Sequence, residues 1–220
     1  MRLALGDIHG RDFWKRYLDE DCSEYYILGD YFDSFDVPFA KQYRNFVEIC
    51  AAARTDSRIK LCLGNHDFHY LDNIMPQFYS GIQQKHYIQI NYILEQNIDL
   101  LKIVYVTDDN YILSHAGVSS TYLYKLRLDK PEEINAAFER ERDILTFDGD
   151  DVYGNDPQQG PIWIRPDSLC ADPLPGYNQI VGHTEDAGIR ERLVEDYATW
   201  DKKLKLVFID TGDAGTIYRF

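Results

Sequence analysis

The sequence predicts an α/β protein, and two observations predict it. Six short hydrophobic runs, "RLALG", "YYILGD", "IKLCLGN", "YILSHAG", "QIVGHT" and "LKLVFIDTG", are each closed by glycine or by glycine flanked by polar residues, which is how buried strands running into loops read. Between the second and third lies "VPFAKQYRNFVEICAAAR", where Tyr43, Phe46, Val47, Cys50 and Ala53 keep the three-and-four spacing of a helix face. Strand, helix and strand make a β-α-β unit.

The remaining elements follow in order. Pro38 suits the first turn of that helix, because proline brings a helical φ and lacks the N–H that would have no partner there. Residues 82–100 contain "YIQINYIL", which alternates like a strand, but the wider segment lacks turn residues and reads as a helix. "KPEEINAAFERERDIL" opens on Pro131 and acids and ends on basic residues, so a helix there has its dipole complemented at both ends. Residues 148–176, rich in Asp, Gly and Pro at their start, read as a long loop of the kind that borders sites. No linker, repeat or low-complexity tract interrupts the chain, so residues 1–220 are expected to form one domain.

The formal net charge of −14 opposes nonspecific attraction to nucleic acid or anionic lipid. Neither is expected as a partner. Cys22, Cys50, Cys62 and Cys170 are scattered without a C-x-x-C pair, which suits structural thiols in a reducing compartment. No apolar run reaches membrane-spanning length, the opening run is too short for a signal peptide, and the expectation is a cytoplasmic protein.

The polar residues that close the strands carry the chemistry. Asp7 and His9 are one residue apart after the first run, so both can lean into the space above a sheet edge while Ile8 turns to the core. Asp30 closes the second run, Asn65 and His66 the third, His115 a later one and His183 another. Ligands of an open α/β sheet gather beyond the carboxyl ends of its strands. Of the six histidines, His69 and His86 fall outside this pattern and read as surface or packed residues. Carboxylate, imidazole and amide oxygen without thiolate suit Mn²⁺, Fe or Zn²⁺. The donors exceed the needs of one ion; two ions about 3.5–4 Å apart, sharing a carboxylate and a water of lowered pKa, would use them all for phosphoester hydrolysis.

The ordered series "GDIHG", "GDYFDS", "GNHD", "SHAG", "GHT" and "IDTG" resembles the calcineurin-like metallophosphoesterases, and within them the serine/threonine phosphoprotein phosphatase branch with its bacterial and phage relatives. The resemblance implies a two-sheet β-sandwich flanked by helices, an α/β/β/α arrangement. It implies Asp7, His9 and Asp30 on one ion, and Asn65, His115 and His183 with bridging Asp30 on the other. It also implies His66 as the acid that protonates the leaving oxygen and Asp33 as the group that orients it, which is sound chemistry because a carboxylate favours the imidazolium form. The nucleophile would be the bridging hydroxide, attacking phosphorus in line.

One position departs from the family's pattern. Where the second block ends in an arginine that holds phosphate, this chain has Ser34, a single weak donor in place of a bidentate guanidinium. Arg165, in "PIWIRP", matches a second phosphate-contacting arginine of relatives, and Arg11 directly follows "GDIHG"; both are expected to bind substrate. The expected substrate is a phosphoprotein or small phosphoester. A dinucleoside polyphosphate such as diadenosine tetraphosphate is the alternative, and a non-catalytic binding module the rival from another class. "DGDDVYGND" is not a calcium loop, since Val152 stands where an oxygen ligand is needed.

Overall fold

The computed structural model describes residues 1–71, 81–145, 153–199, 202–212 and 215–220. β1 (Arg2–Leu5), β2 (Glu24–Ile27), β3 (Ile59–Cys62) and β4 (Leu101–Lys102) run parallel in that order in one sheet, and β10 (Ile217–Arg219) pairs antiparallel with β1. The second sheet runs β5 (Val104–Val106), β6 (Tyr111–Ser114), β7 (Asn178–Val181), β9 (Lys203–Phe208) and β8 (Arg190–Glu195). Its central strands β6, β7 and β9 are parallel, with antiparallel β5 and β8 on the edges. All six runs expected from the sequence are strands.

Pleating explains the layers. Along β2 and the residue after it, Tyr25 and Ile27 face one core and Tyr26 and Leu28 another, because successive side chains leave a strand on opposite sides. Ala4, Tyr26, Leu28 and Cys62 of the first sheet meet Leu113, Ile180 and Val207 of the second, and this filling joins the sheets. On the outer face of the first sheet, Leu3, Leu5, Ile27 and Leu61 share a core with Phe46, Ile49 and Cys50 of α1 (Phe39–Thr55) and Ile90 and Leu94 of α3 (Tyr87–Glu95). Leu169 of α6 (Pro166–Ala171) packs with Val181, Leu206 and Phe208 on the outer face of the second. The result is the expected two-sheet sandwich between helices. All four cysteines are free thiols.

Several expectations are refined. The 82–100 segment is helical, as a 3₁₀ turn at Gln84–His86, α3, and a second turn at Ile98–Leu100. Pro38 caps α1 from outside, with a ψ of 142°, rather than sitting in its first turn. The helix after Pro131 is α5 (Glu133–Arg140), which stops at Glu141, where the backbone turns extended. The 148–176 segment is not loop throughout, since α6 lies within it and starts on Pro166, the residue that fits a first helical turn. Residues 148–152 of its acidic start lie outside the described residues. Among the described residues, no helix is long and apolar enough to cross a membrane.

Candidate active site

Because β1, β2 and β3 are parallel in one sheet and β6, β7 and β9 in the other, their carboxyl ends open onto one edge of the sandwich. Asp7, His9, Arg11, Asp30, Asp33, Ser34, Asn65, His66, Arg165 and His183, drawn from far-apart segments, line a single cleft of about 400 Å³ there. His115 lies buried beneath it, its Nε2 2.7 Å from Asn65 Oδ1. Left-handed backbone is uncommon for residues with a Cβ, yet His9, Asp30, Asp33 and His183 have φ of 41°, 52°, 63° and 67°. Strain held in place by its surroundings is characteristic of sites.

The donor atoms converge in two groups. His9 Nδ1 donates to the carbonyl of Phe32 at 2.6 Å and His115 Nδ1 to that of Leu28 at 2.8 Å. A carbonyl only accepts, so these bonds fix the tautomers and leave each Nε2 with its lone pair. Those two atoms lie 3.8 and 3.4 Å from Asp30 Oδ2. His183 Nε2 likewise faces the Trp163 carbonyl at 3.1 Å, and its Nδ1 stands 2.9 Å from Asn65 Oδ1. Several acceptor atoms clustered this closely suit a divalent cation seated beside them, at about 2.0–2.2 Å from each ligand. Asp7, Asp30 and His115 offer ligand atoms within 4.8 Å of one another.

Two glycines make the approach. A Cβ on Gly64 would lie 2.1 Å from Asp30 Oδ1, and one on Gly182 would lie 2.2 Å from Asp7 Oδ1. Both carboxylates lie where any other residue's side chain would begin. Their electrostatics are unbalanced in the protein alone. Burial, then the Asp210 and Asp30 carboxylates, push the Asp7 carboxyl well above its usual range. Burial opposes ionisation of Asp30 too, but His115, His66, His9 and His183 together hold it below the usual carboxylate range. Burial lowers the imidazoles of His115 and His183, which favours the neutral form a metal needs.

His66 and Asp33 also meet, with Nδ1 3.0 Å from Oδ2 and the Asp33 side chain wholly buried. Burial alone would lower the His66 imidazole, but Asp30 and Asp33 push it up to about 9. Arg165 reaches the cleft while donating through Nε to the Tyr153 carbonyl and through Nη1 to Thr184 Oγ1. Arg11 also lines the cleft and pairs with Asp36 at 2.9 Å. Ser34 lines the cleft, but its hydroxyl is engaged within its own turn. Its Oγ donates to Asp36 at 2.6 Å and accepts from the Val37 N–H at 3.2 Å, closing the chain reversal before α1.

Three residues escaped the sequence reading. Asp67, the last residue of "GNHD", accepts from the N–H groups of Asp30, Tyr31 and Gly64, and so ties the end of β2 to that of β3. Asp210, in "IDTG", is buried at the cleft. Both belong to the glycine-containing blocks, and that was their only signal. His69 is packed, as expected, but its Nε2 is 2.7 Å from Asp33 Oδ2. His86 stacks on Phe39, with ring centroids 3.7 Å apart.

The chain is similar to known proteins in sequence profile and in fold. The profile of the calcineurin-like phosphoesterases matches residues 2–186. No curated protein matches the chain. Among solved structures, the cold-active protein tyrosine phosphatase of a psychrophilic Shewanella species is similar at 16% identity and a TM-score of 0.58, over 98% of this chain and 73% of that one. Another structure of a cold-active protein tyrosine phosphatase gives 16% and 0.58, over 98% and 72%. A Saccharomyces cerevisiae protein serine/threonine phosphatase gives 18% and 0.51, over 95% and 67%. At these identities the likeness is one of fold; the profile match over most of the chain carries the classification, and the protein belongs to the calcineurin-like phosphoesterases, a family of metal-dependent phosphoester hydrolases.

Proposed function

We propose that the protein is a two-metal phosphomonoesterase of the phosphoprotein phosphatase type, working in the cytoplasm as one domain over residues 1–220. The observation that carries the reading is the meeting of lone pairs from both sheets, at Asp30 Oδ2 and at Asn65 Oδ1, beside a buried Asp33–His66 pair. Asp7, His9 and Asp30 would hold one divalent cation, and Asn65, His115 and His183 with Asp30 the other. Mn²⁺ suits this oxygen and nitrogen set, with Fe or Zn²⁺ as substitutes. When bound, such ions supply Lewis acidity at the phosphoryl oxygens and lower the pKa of a water toward neutrality.

The chain's own groups do the rest. Asp33 holds His66 Nδ1, so the imidazolium carries its second proton on Nε2 for the leaving oxygen, and transfer leaves a neutral ring that Asp33 still orients. Arg165, fixed by the Tyr153 carbonyl and Thr184, presents a guanidinium to the phosphate. Arg11 adds a second positive charge from the rim. Hydrolysis rates with Mn²⁺ for p-nitrophenyl phosphate, phosphopeptides and diadenosine tetraphosphate side by side test this reading. A phosphopeptide should be the best substrate of the three. Preference for diadenosine tetraphosphate would replace the phosphatase by a dinucleoside polyphosphate hydrolase, and no turnover of any would leave a binding module.

A further inference from the structure

Asp33 is a buried carboxylate with polar groups against both of its oxygens. A carboxylate offers about four lone-pair sites, two on each oxygen. On Oδ1, Tyr70 donates through its hydroxyl and Gln83 through Nε2 at 3.4 Å. On Oδ2, His66 Nδ1 forms a hydrogen bond at 3.0 Å, and His69 Nε2 lies 2.7 Å away as a close polar contact without hydrogen-bond geometry. The two imidazoles come from one helical turn, since α2 (Asn65–Phe68) carries His66 near its start and is capped by His69 three residues on. Residues so spaced share a helix face, and here the rings meet edge-on at 5.5 Å with Oδ2 between their nitrogens.

The side chain of His69 is wholly buried. Burying an imidazole costs free energy that a leucine of similar size would not, unless its polar atoms are used. Its position against the one oxygen that orients His66 suggests the use. Asp33 sits at a strained φ of 63° in the middle of the loop between β2 and α1, where backbone geometry alone does not fix a carboxylate.

We propose that His69 is a positioning residue for the reaction: packed 2.7 Å from Asp33 Oδ2 beside His66, it keeps that oxygen in place, so that His66 is held in the orientation that delivers its proton. This rests on the reading of His66 as the general acid. In a variant with no polar group at the place of His69 Nε2, the carboxylate turns toward its Oδ1 partners, His66 loses its orientation, and proton delivery to the leaving group suffers while cation binding does not.

The test is kcat with Mn²⁺ for p-nitrophenyl phosphate, whose leaving group needs no proton, and for phenyl phosphate, whose leaving group does. The proteins are the wild type, His66→Asn, His69→Leu, His69→Gln and the His66→Asn/His69→Leu double variant. His66→Asn should slow phenyl phosphate by roughly 10² to 10⁴ and p-nitrophenyl phosphate less. His69→Leu should repeat that pattern at about tenfold to a hundredfold, the scale of a misplaced reacting group. His69→Gln, whose amide N–H₂ reaches where Nε2 sits, should restore most of the rate. In the double variant the leucine should add almost nothing, because it acts through His66. Two readouts are independent of turnover: bound metal per chain should be unchanged in His69→Leu, and the imidazole N–H proton resonance of His66 in metal-free protein should shift. If the leucine variant does not fold, His69→Asn, too short to reach Oδ2, takes its place against His69→Gln.

Equal losses on the two substrates, or additive losses in the double variant, would overturn the proposal in favour of a packing role. Loss of a metal equivalent would overturn it in favour of a cation site at Asp33, His66 and His69. If His66→Asn itself shows no leaving-group dependence, the acid reading fails first, and the His69 proposal falls with it.

Discussion

At the scale of single residues, the cleft is governed by where side chains are missing. Gly182 lets Asp7 Oδ1 lie 2.2 Å from where a Cβ would begin, and its φ is not left-handed, so alanine there is a test of space alone. Gly182→Ala should fold but displace Asp7, weakening cation binding by roughly 10–100-fold, the effect of losing a ligand's support. Calorimetric titration of Mn²⁺ into the variant checks this, and wild-type affinity would mean that Asp7 is not held as a ligand. Ser34 raises the opposite question, since an arginine is absent there. Arg165→Ala should raise KM for phosphomonoesters by roughly tenfold to a hundredfold, as expected for a hydrogen bond to a charged group of about 1.5–3 kcal/mol. In a Ser34→Arg background the same change should cost less, because two guanidinium groups on one phosphate are partly redundant. Additive effects in the double variant would separate Arg165 from the ground that position 34 faces.

At the scale of elements, the loops that carry ligands are tied by one carboxylate. Asp67 accepts three backbone N–H groups from the ends of β2 and β3. Asp67→Asn keeps the shape but turns an N–H₂ toward at least one of those donors. The expected loss is about 1–3 kcal/mol for an unsatisfied buried group, read by urea denaturation of metal-free protein; unchanged stability would show that the turn is held without it. This residue also marks how far the sequence could be read. The ligand-bearing strands were legible because each is an apolar run ended by glycine and a polar residue. β8, "RERLVE", was not, because an edge strand needs apolar cover on only some of its residues and its pairing with β9 supplies the rest. β4 and β5 are two and three residues long, too short to show a period. α6 hid in a stretch whose composition signalled loop, with Leu169 as its one fully buried anchor. The ligand candidates were visible as strand endings, whereas the roles of Asp67 and His69 depend on partners more than thirty residues away in the chain.

At the scale of the whole molecule, the site lies across the seam of the sandwich. Asp7, His9, Asp30 and Asn65 follow strands of the first sheet, and His115 and His183 follow strands of the second. Cations shared between these sets would clamp the two sheets at an edge where Asp7, Asp30 and Asp210 otherwise repel one another. Binding to the native state alone stabilises it by mass action, about 2.7 kcal/mol at a free concentration of one hundred times Kd. For a chain of this size that is a rise in Tm on the order of 5–10 °C. Treatment with EDTA should therefore lower Tm and abolish turnover together, and Mn²⁺ should restore both, with Tm climbing as its concentration rises. Ca²⁺ at the same concentration should restore little of either, because it prefers all-oxygen shells and three imidazoles face this site. If Ca²⁺ matched Mn²⁺ in the melting curve, the oxygen donors alone would be binding the ion, and His9, His115 and His183 would have to be removed from the ligand set.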